Sequence, residues 1–516
     1  MTNLDPSAPV PDSPPALQTL VRPMIVVTVL TLATHVASVV VRIVMARLFG
    51  AGADLDAFFA AYALPQYLTA IIVGVLPQVC IPVIVSTARS NGIGDSRRVA
   101  QGITNVVLPA VLLLTAVCAV FSSALLRISA PGLAPAVHET ATRLAWVLWL
   151  TVPASAAVSI ATSIENAENR FFRATLVPLI GGMLNLALLI VLARPFGALG
   201  LAVATTTGVL VQMFLFGNLL TREGLRMRAL ASLPGTREAF MLLRPLLLSG
   251  IAVRLTIVAE RYFGSRLPEG SISEISYANN IVGSVMLLLS IGASTVLFPK
   301  LSRHAAADDL AELGTTFSIA VRALWVLIAP AIAVGICLSR PAVRMLFEGG
   351  RFTAQDAEHV AALLQIYFLS LAASTLGMIT GRMLYALKAA RLLSIIGTME
   401  GIAYVCYTAL LVRYFGAAGV AWGFVIYVTI SIVWHFIAIT HMTRWTLFRA
   451  TSWSAIRTTV AALIAALVAR VVVAQFDVAW MQVLLGGCAA AAAFIAVLAI
   501  VNNSDLRLIV NAGRRA

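Results

Sequence analysis

Long apolar runs broken by short polar punctuation dominate the chain. About 20 consecutive apolar residues cross a bilayer as a helix. Runs of that length lie at 24–49, 57–87, 99–126, 141–164, 174–194, 198–220, 239–264, 275–299, 315–339, 358–381, 392–412, 417–441, 455–475 and 480–501. The pattern predicts an all-α polytopic membrane protein of about 14 transmembrane helices. Prolines crowd residues 1–23, which reads as a disordered tail without the basic start of a signal peptide. The polar stretch 221–238 reads as a linker, and 502–516 as a second tail.

The apolar pattern repeats. Phe49-Gly50 closes the first run and Phe263-Gly264 the seventh, while Phe196-Gly197 and Phe415-Gly416 join runs five to six and eleven to twelve. Tyr62 and Pro82 in the second run have counterparts in Tyr277 and Pro299 of the eighth. The offsets lie between 214 and 219 residues, as expected for a duplicated six-helix unit. Six crossings are an even number, so the copies share topology and relate by an axis along the membrane normal. The expected division is an N-lobe (24–220), a C-lobe (239–441) and an added helix pair (455–501).

Composition sharpens this picture. Of 516 residues, 60% are hydrophobic and only 11% charged, against about 25% charged in soluble domains. The net charge of +14 reflects basic loops on one membrane face rather than nucleic-acid binding. Lys and Arg divide 21 to 10 between the two sides, with five more inside helices, which places both termini in the cytoplasm. The five cysteines sit in apolar runs without a CxxC pair, and the six histidines form no HExxH. Walker, GxSxG and dinucleotide motifs are absent, so no enzyme, no ATPase domain, no metal site and no cofactor is expected.

Several stretches carry a resemblance. Ala46 to Gly52 followed by Leu55 to Phe58, Leu346 to Thr353, and Asn169 to Phe171 with Pro178 and Asn185 resemble the MurJ/MviN family of lipid II flippases, within the multidrug/oligosaccharidyl-lipid/polysaccharide flippase superfamily. The resemblance implies fourteen helices and movement of a polyprenyl-diphosphate-linked sugar from the inner to the outer leaflet. It also implies a bacterial inner-membrane location, a lipid-linked glycan and membrane lipid as partners, and helices 13 and 14 lining a groove for the lipid tail. The family's first-helix arginines align on His35 and Val41, with Arg42 one place later. Its helix-2 basic pair aligns on Thr69 and Ala70, and its helix-8 Asp-Arg pair on Asn279 and Asn280.

A charge at the centre of a membrane helix costs about 2.5–3.5 kcal/mol on insertion scales, so each one demands a partner or a wet cavity. Arg42 and Arg254 are the candidate grips for a diphosphate, whose oxygens a guanidinium fork matches. His35 lies seven residues before Arg42, on approximately the same helix face. Together with Asn279 and Asn280 these are the candidate substrate-binding residues. Asp56, Glu260 and Glu400 are candidate gating or structural charges, Asp56 also suiting a helix N-terminus. The leading expectation is a monomeric flippase working by alternating access, with lipid II as first cargo. The membrane potential, at about 2.3 kcal/mol per charge per 100 mV, or a monovalent ion would drive it. The alternatives are a flippase for exopolysaccharide or another lipid-linked oligosaccharide, a MATE-like antiporter using Glu165, Glu260 or Glu400, and a non-transporting scaffold.

Overall fold

The computed structural model describes residues 17–217, 241, 250, 254–306, 310–387, 389–443 and 447–501. The linker 221–238, the tail 502–516, most of the tail 1–23 and most of run 239–264 lie outside the described residues. The described chain is helical, with one isolated bridge between Gly349 and Phe352. Its elements are α1 (Leu17–Phe49), α2 (Ala53–Asn91), α3 (Ile93–Val120), α4 (Ser122–Ser129), α5 (Pro135–Leu148), α6 (Thr151–Ala167) and α7 (Phe171–Leu215). They continue with α8 (Leu255–Gly264), α9 (Ser271–Ala306), α10 (Leu310–Phe347), α11 (Ala354–Ala386) and α12 (Ala390–Phe415). The last three are α13 (Ala417–Thr443), α14 (Leu447–Val473) and α15 (Ala479–Val501).

Twelve described stretches are long and apolar enough to cross a membrane. Element α7 holds two crossings, because its backbone breaks at Gly197 with φ 54° and ψ −136°. Only the last part of the seventh crossing is described, as α8. The fourth crossing is split between α5 and α6 at Trp149–Leu150.

The break at Gly197 recurs at Gly416, where φ is 55° and ψ −131° between α12 and α13. A positive φ is cheap only for glycine, so Phe-Gly marks both turns. Three residues on, Gly200 packs against the carbonyl of Leu192 and Gly419 against that of Leu411. These are the same contacts displaced by 219 residues along the chain.

Packing follows residue size. In α6 the run Thr151 to Ile164 is almost wholly buried, and its Ala and Ser residues let α2, α3 and α7 approach closely. Large side chains fill what remains, with Leu144, Leu148 and Ile160 in the N-lobe and Leu364, Tyr367 and Leu371 in the C-lobe. Helices α14 and α15 pair and lie on α10, through Ala461, Ala462, Ala465 and Ala469 against Ala490, Phe494 and Val326. The indole of Trp325 on α10 donates to the Ala455 carbonyl (3.2 Å) and to Thr459 (3.1 Å), which fixes that pair in place. Many buried hydroxyls return to their own helix, as Thr104 does to the Ala100 carbonyl at 2.8 Å and Ser163 to the Ser159 carbonyl at 2.7 Å. Lipid offers no hydrogen bonds, so this internal satisfaction is what a spanning helix needs.

Candidate functional site

Helices α2, from the N-lobe, and α8–α9, from the C-lobe, meet along a seam. At one end of the seam the lobes are latched. Asp56, in the first turn of α2, accepts from Gly270 N (2.7 Å), Ser273 N (2.9 Å) and Ser273 Oγ (2.6 Å), and so caps α9 of the other lobe. Glu269, just before α9, accepts from Ala53 N at 3.0 Å and so caps α2. Each lobe thus satisfies the open helix terminus of its partner, where N–H groups have no intrahelical acceptor.

The segment Leu346 to Thr353 completes this end. Arg351 N donates to the Arg47 carbonyl at 2.9 Å, and Arg351 lies 3.8 Å from Asp54. Gly350, at φ 62°, rests on the Arg47 carbonyl so closely that a Cβ would collide with it. Phe347 and Phe352 pack on the Tyr277 ring at 5.2 and 5.8 Å. Thr353 and Asp356 then form a capping box that starts α11.

Below the latch lie the two candidate cations. Arg42 on α1 reaches across the seam and donates to Ser284 Oγ on α9 at 3.2 Å. Arg254 heads α8, and its Nη2 lies 3.7 Å from where a Cβ on Gly74 of α2 would stand. The Arg254 side chain is exposed, and its charge reaches Tyr427 on α13. Arg254 thus stays exposed while lying close to Gly74 of the N-lobe and within electrostatic reach of Tyr427 of the C-lobe. Arg42 lies seven residues before Phe49 and Arg254 nine before Phe263, so both sit roughly 10–14 Å below the latched end. The two expected grips therefore come from opposite lobes at similar depth, each touching the other lobe.

The other expected residues divide. His35 is half-buried on α1 and feels the charge of Arg42. Asn280 is half-buried and lends its carbonyl to Ser284 at 2.8 Å, next to the Arg42 contact. Asn279 instead donates to Glu260, at 3.0 and 3.3 Å to its two oxygens, so the amide is engaged within the C-lobe. Glu400 is buried on α12 beside Ser431 of α13. Glu165 is buried and held by Arg173 at 2.9 Å, while Arg173 also donates to the Leu215 carbonyl and lies over the Phe216 ring.

Three participants escape a reading of the sequence alone. Ser284 carries no charge to flag it. Glu269 looks like a loop acid, although it stands 215 residues after Asp54 and so repeats the acid at the head of α2. Arg261 counts by sequence as a basic loop residue, yet it is buried, with its guanidinium 5.4 Å from the Phe59 ring centre. Among the described residues no group of His, Cys, Asp and Glu side chains could hold a metal ion.

Comparison with known proteins places this arrangement. A family model described as lipid II flippase MurJ matches residues 45–494. A probable lipid II flippase MurJ of Rhizobium meliloti (strain 1021) is 26% identical over 346 residues, covering 64% of each chain. This chain therefore spans just under two thirds of that relative's length. The lipid II flippase MurJ of Burkholderia cenocepacia is 24% identical over 370 residues, covering 68% of this chain and 70% of that protein. Among solved structures, a lipid II flippase MurJ in an inward closed conformation superposes with a TM-score of 0.80 at 18% identity, over 94% of this chain and 100% of that one. An inward-facing MATE multidrug transporter follows at 0.66 and 14%, over 82% and 99%. At these identities the structural likeness establishes the fold.

Proposed function

Because the chain belongs to the MurJ lipid II flippase family, we propose that it moves a polyprenyl-diphosphate-linked glycan, with lipid II as first cargo, between leaflets by alternating access. The observation that carries this reading is the family match across residues 45–494, which runs through both lobes and the added helix pair. The recurring turn geometry at Gly197 and Gly416 supports reading 24–220 and 239–441 as duplicated lobes that move as units.

The residues supply the steps. In this reading Arg254 lines a gap between the lobes, and the latch contacts of Asp56 and Glu269 close that gap at one end. A diphosphate entering from the opposite end meets Arg254 and the Arg42–Ser284 contact. A guanidinium binds phosphate oxygens in a bidentate fork, and a charge-assisted bond contributes about 1.5–3 kcal/mol against about 1 for a neutral one. Bridging two arginines from opposite lobes draws the inner ends together and loads the latch. The lobes then part at the latched end and release the headgroup, while the lipid tail stays in the bilayer. No covalent chemistry is involved.

The charge count supports an orientation with both termini and the 221–238 linker in the cytoplasm and the latch on the outer side. A diphosphate of about two negative charges then moves down an inside-negative potential, worth about 2.3 kcal/mol per charge per 100 mV, without ATP. Residues 455–501 pack on α10 and suit the lipid tail. The decisive experiment is rescue of a lipid II flippase depletion strain by this chain. Failure to rescue with the protein in the membrane, together with export of another lipid-linked glycan, would reassign the cargo.

A further inference from the structure

Arg261 is 6% exposed, and its Nε and Nη1 are buried without a hydrogen-bond partner. An unsatisfied buried donor costs about 1–3 kcal/mol, and more when charged. Glu260 and Asp56 balance its charge from nearby, but neither accepts from these two donors: Glu260 is bonded by Asn279, and both oxygens of Asp56 are taken up in capping α9. The hydroxyls of Tyr367 and Tyr404, within electrostatic reach of Arg261, are also buried without partners. What covers the guanidinium is Phe59, from the opposite lobe, whose ring also meets Tyr277 edge-on at 6.2 Å.

Arg261 follows Arg254 by seven residues, so the two share a face of the seventh crossing. They stand two turns apart, roughly 10 Å, with Arg261 nearer the latch. Parting the lobes at the latched end withdraws Phe59 and Asp56 together, since both belong to α2. Arg261 then faces the newly opened gap with two free donors.

We propose that Arg261 is a second diphosphate site, concealed by Phe59 while the latch is closed and uncovered when it opens, which takes over the anion from Arg254. This rests on the alternating-access reading above. An anion leaving Arg254 then meets a fresh cation instead of a barrier, and reclosure of Phe59 over Arg261 expels it.

The test uses the full chain, cleared of native cysteines, in sealed proteoliposomes with the latched end outside. Ala63 lies one heptad beyond Asp56 on α2, is fully buried, and serves as reporter when changed to Cys. With Asp56→Ala breaking the latch, the reporter should react with an external, membrane-impermeant thiol reagent. Millimolar inorganic diphosphate should slow that reaction at least tenfold. Adding Arg261→Gln should abolish the protection, Arg261→Lys should retain part of it, and Arg254→Ala should leave it in place. Undiminished protection in Arg261→Gln overturns the proposal, as does a reporter that stays unreactive once the latch is broken. Transport of a polyprenyl diphosphate by the intact chain is scored separately. A chain that flips no such lipid but shows Arg261-dependent protection sinks the flippase reading and leaves the site.

Discussion

Removing the Asp56 carboxylate should shift the lobes from latched to open. In the latched state it accepts three hydrogen bonds from Gly270 and Ser273, all buried. Asp56→Ala leaves two backbone N–H groups and one hydroxyl facing a void, at about 1–3 kcal/mol for each unsatisfied group. Opening the latched end admits water, which satisfies them again. These costs are not independent, because all three donors converge on one carboxylate, so a net shift of about 2–4 kcal/mol is reasonable. That moves the latched-to-open ratio by roughly 30- to 700-fold. Spin labels at 134 and 355, both exposed and on opposite lobes at this end, report the shift through their distance distribution. The parent should show one short population, Asp56→Ala a longer one, and Asp56→Asn, which keeps one acceptor oxygen, a mixture. Glu269→Gln loses the charge on a single exposed bond and should change little. An unchanged distribution in folded Asp56→Ala would show that the carboxylate does not hold the lobes together.

Arg254→Ala should reduce flipping at least tenfold at matched protein level, with Arg254→Lys recovering only part because the fork is lost; normal flipping by Arg254→Ala would remove the proposed grip. Arg173→Ala strands the buried Glu165 carboxylate, and because Arg173 is itself 37% exposed the loss is about 1–3 kcal/mol; the unfolding temperature in detergent should fall, and Glu165→Gln with Arg173→Ala should recover much of it. Cysteines at 226 and 446 should react only with reagents that enter the cytoplasm and one at 350 from outside, so external labelling at 226 would invert the topology.

What could be read from sequence was whatever is decided within one helix or one turn. Apolar runs of membrane length gave the crossings, since the bilayer imposes that length on each one separately. Phe-Gly at 196–197 and 415–416 announced two helix breaks, because the positive φ is a local demand. The split at Trp149–Leu150 carries a quieter mark, since Pro153 has no N–H to offer the Trp149 carbonyl. Contacts between lobes were out of reach. Asp56 was legible as an acid at a helix start, but the helix it caps begins 215 residues later. Arg261 looked like a loop cation because its cover, Phe59, lies in the other lobe. Asn279 looked available for substrate until Glu260, nineteen residues away, was seen to hold it.

The resting partner of Arg42 is itself informative. A half-buried arginine in a membrane helix could be paired with a carboxylate, which would hold it against any competing anion. Here it meets a serine hydroxyl through a single bond at 3.2 Å, with no opposing charge on the acceptor. A phosphate brings an opposite charge and can accept from two guanidinium nitrogens at once, so it displaces Ser284 at a net gain, and the cation stays available without being left bare. Ser284→Asp should reverse that order. It gives Arg42 a competing anion from the C-lobe, so flipping should need at least tenfold more lipid, or fail, while the protein keeps its thermal stability. Ser284→Ala removes only the weak partner and should flip at or above the parental rate at low lipid. The comparison is made at pH 8, where a protonated Asp is least populated. If Ser284→Asp flips with parental concentration dependence, Arg42 does not bind the cargo, and its bridge to α9 only fastens the lobes together.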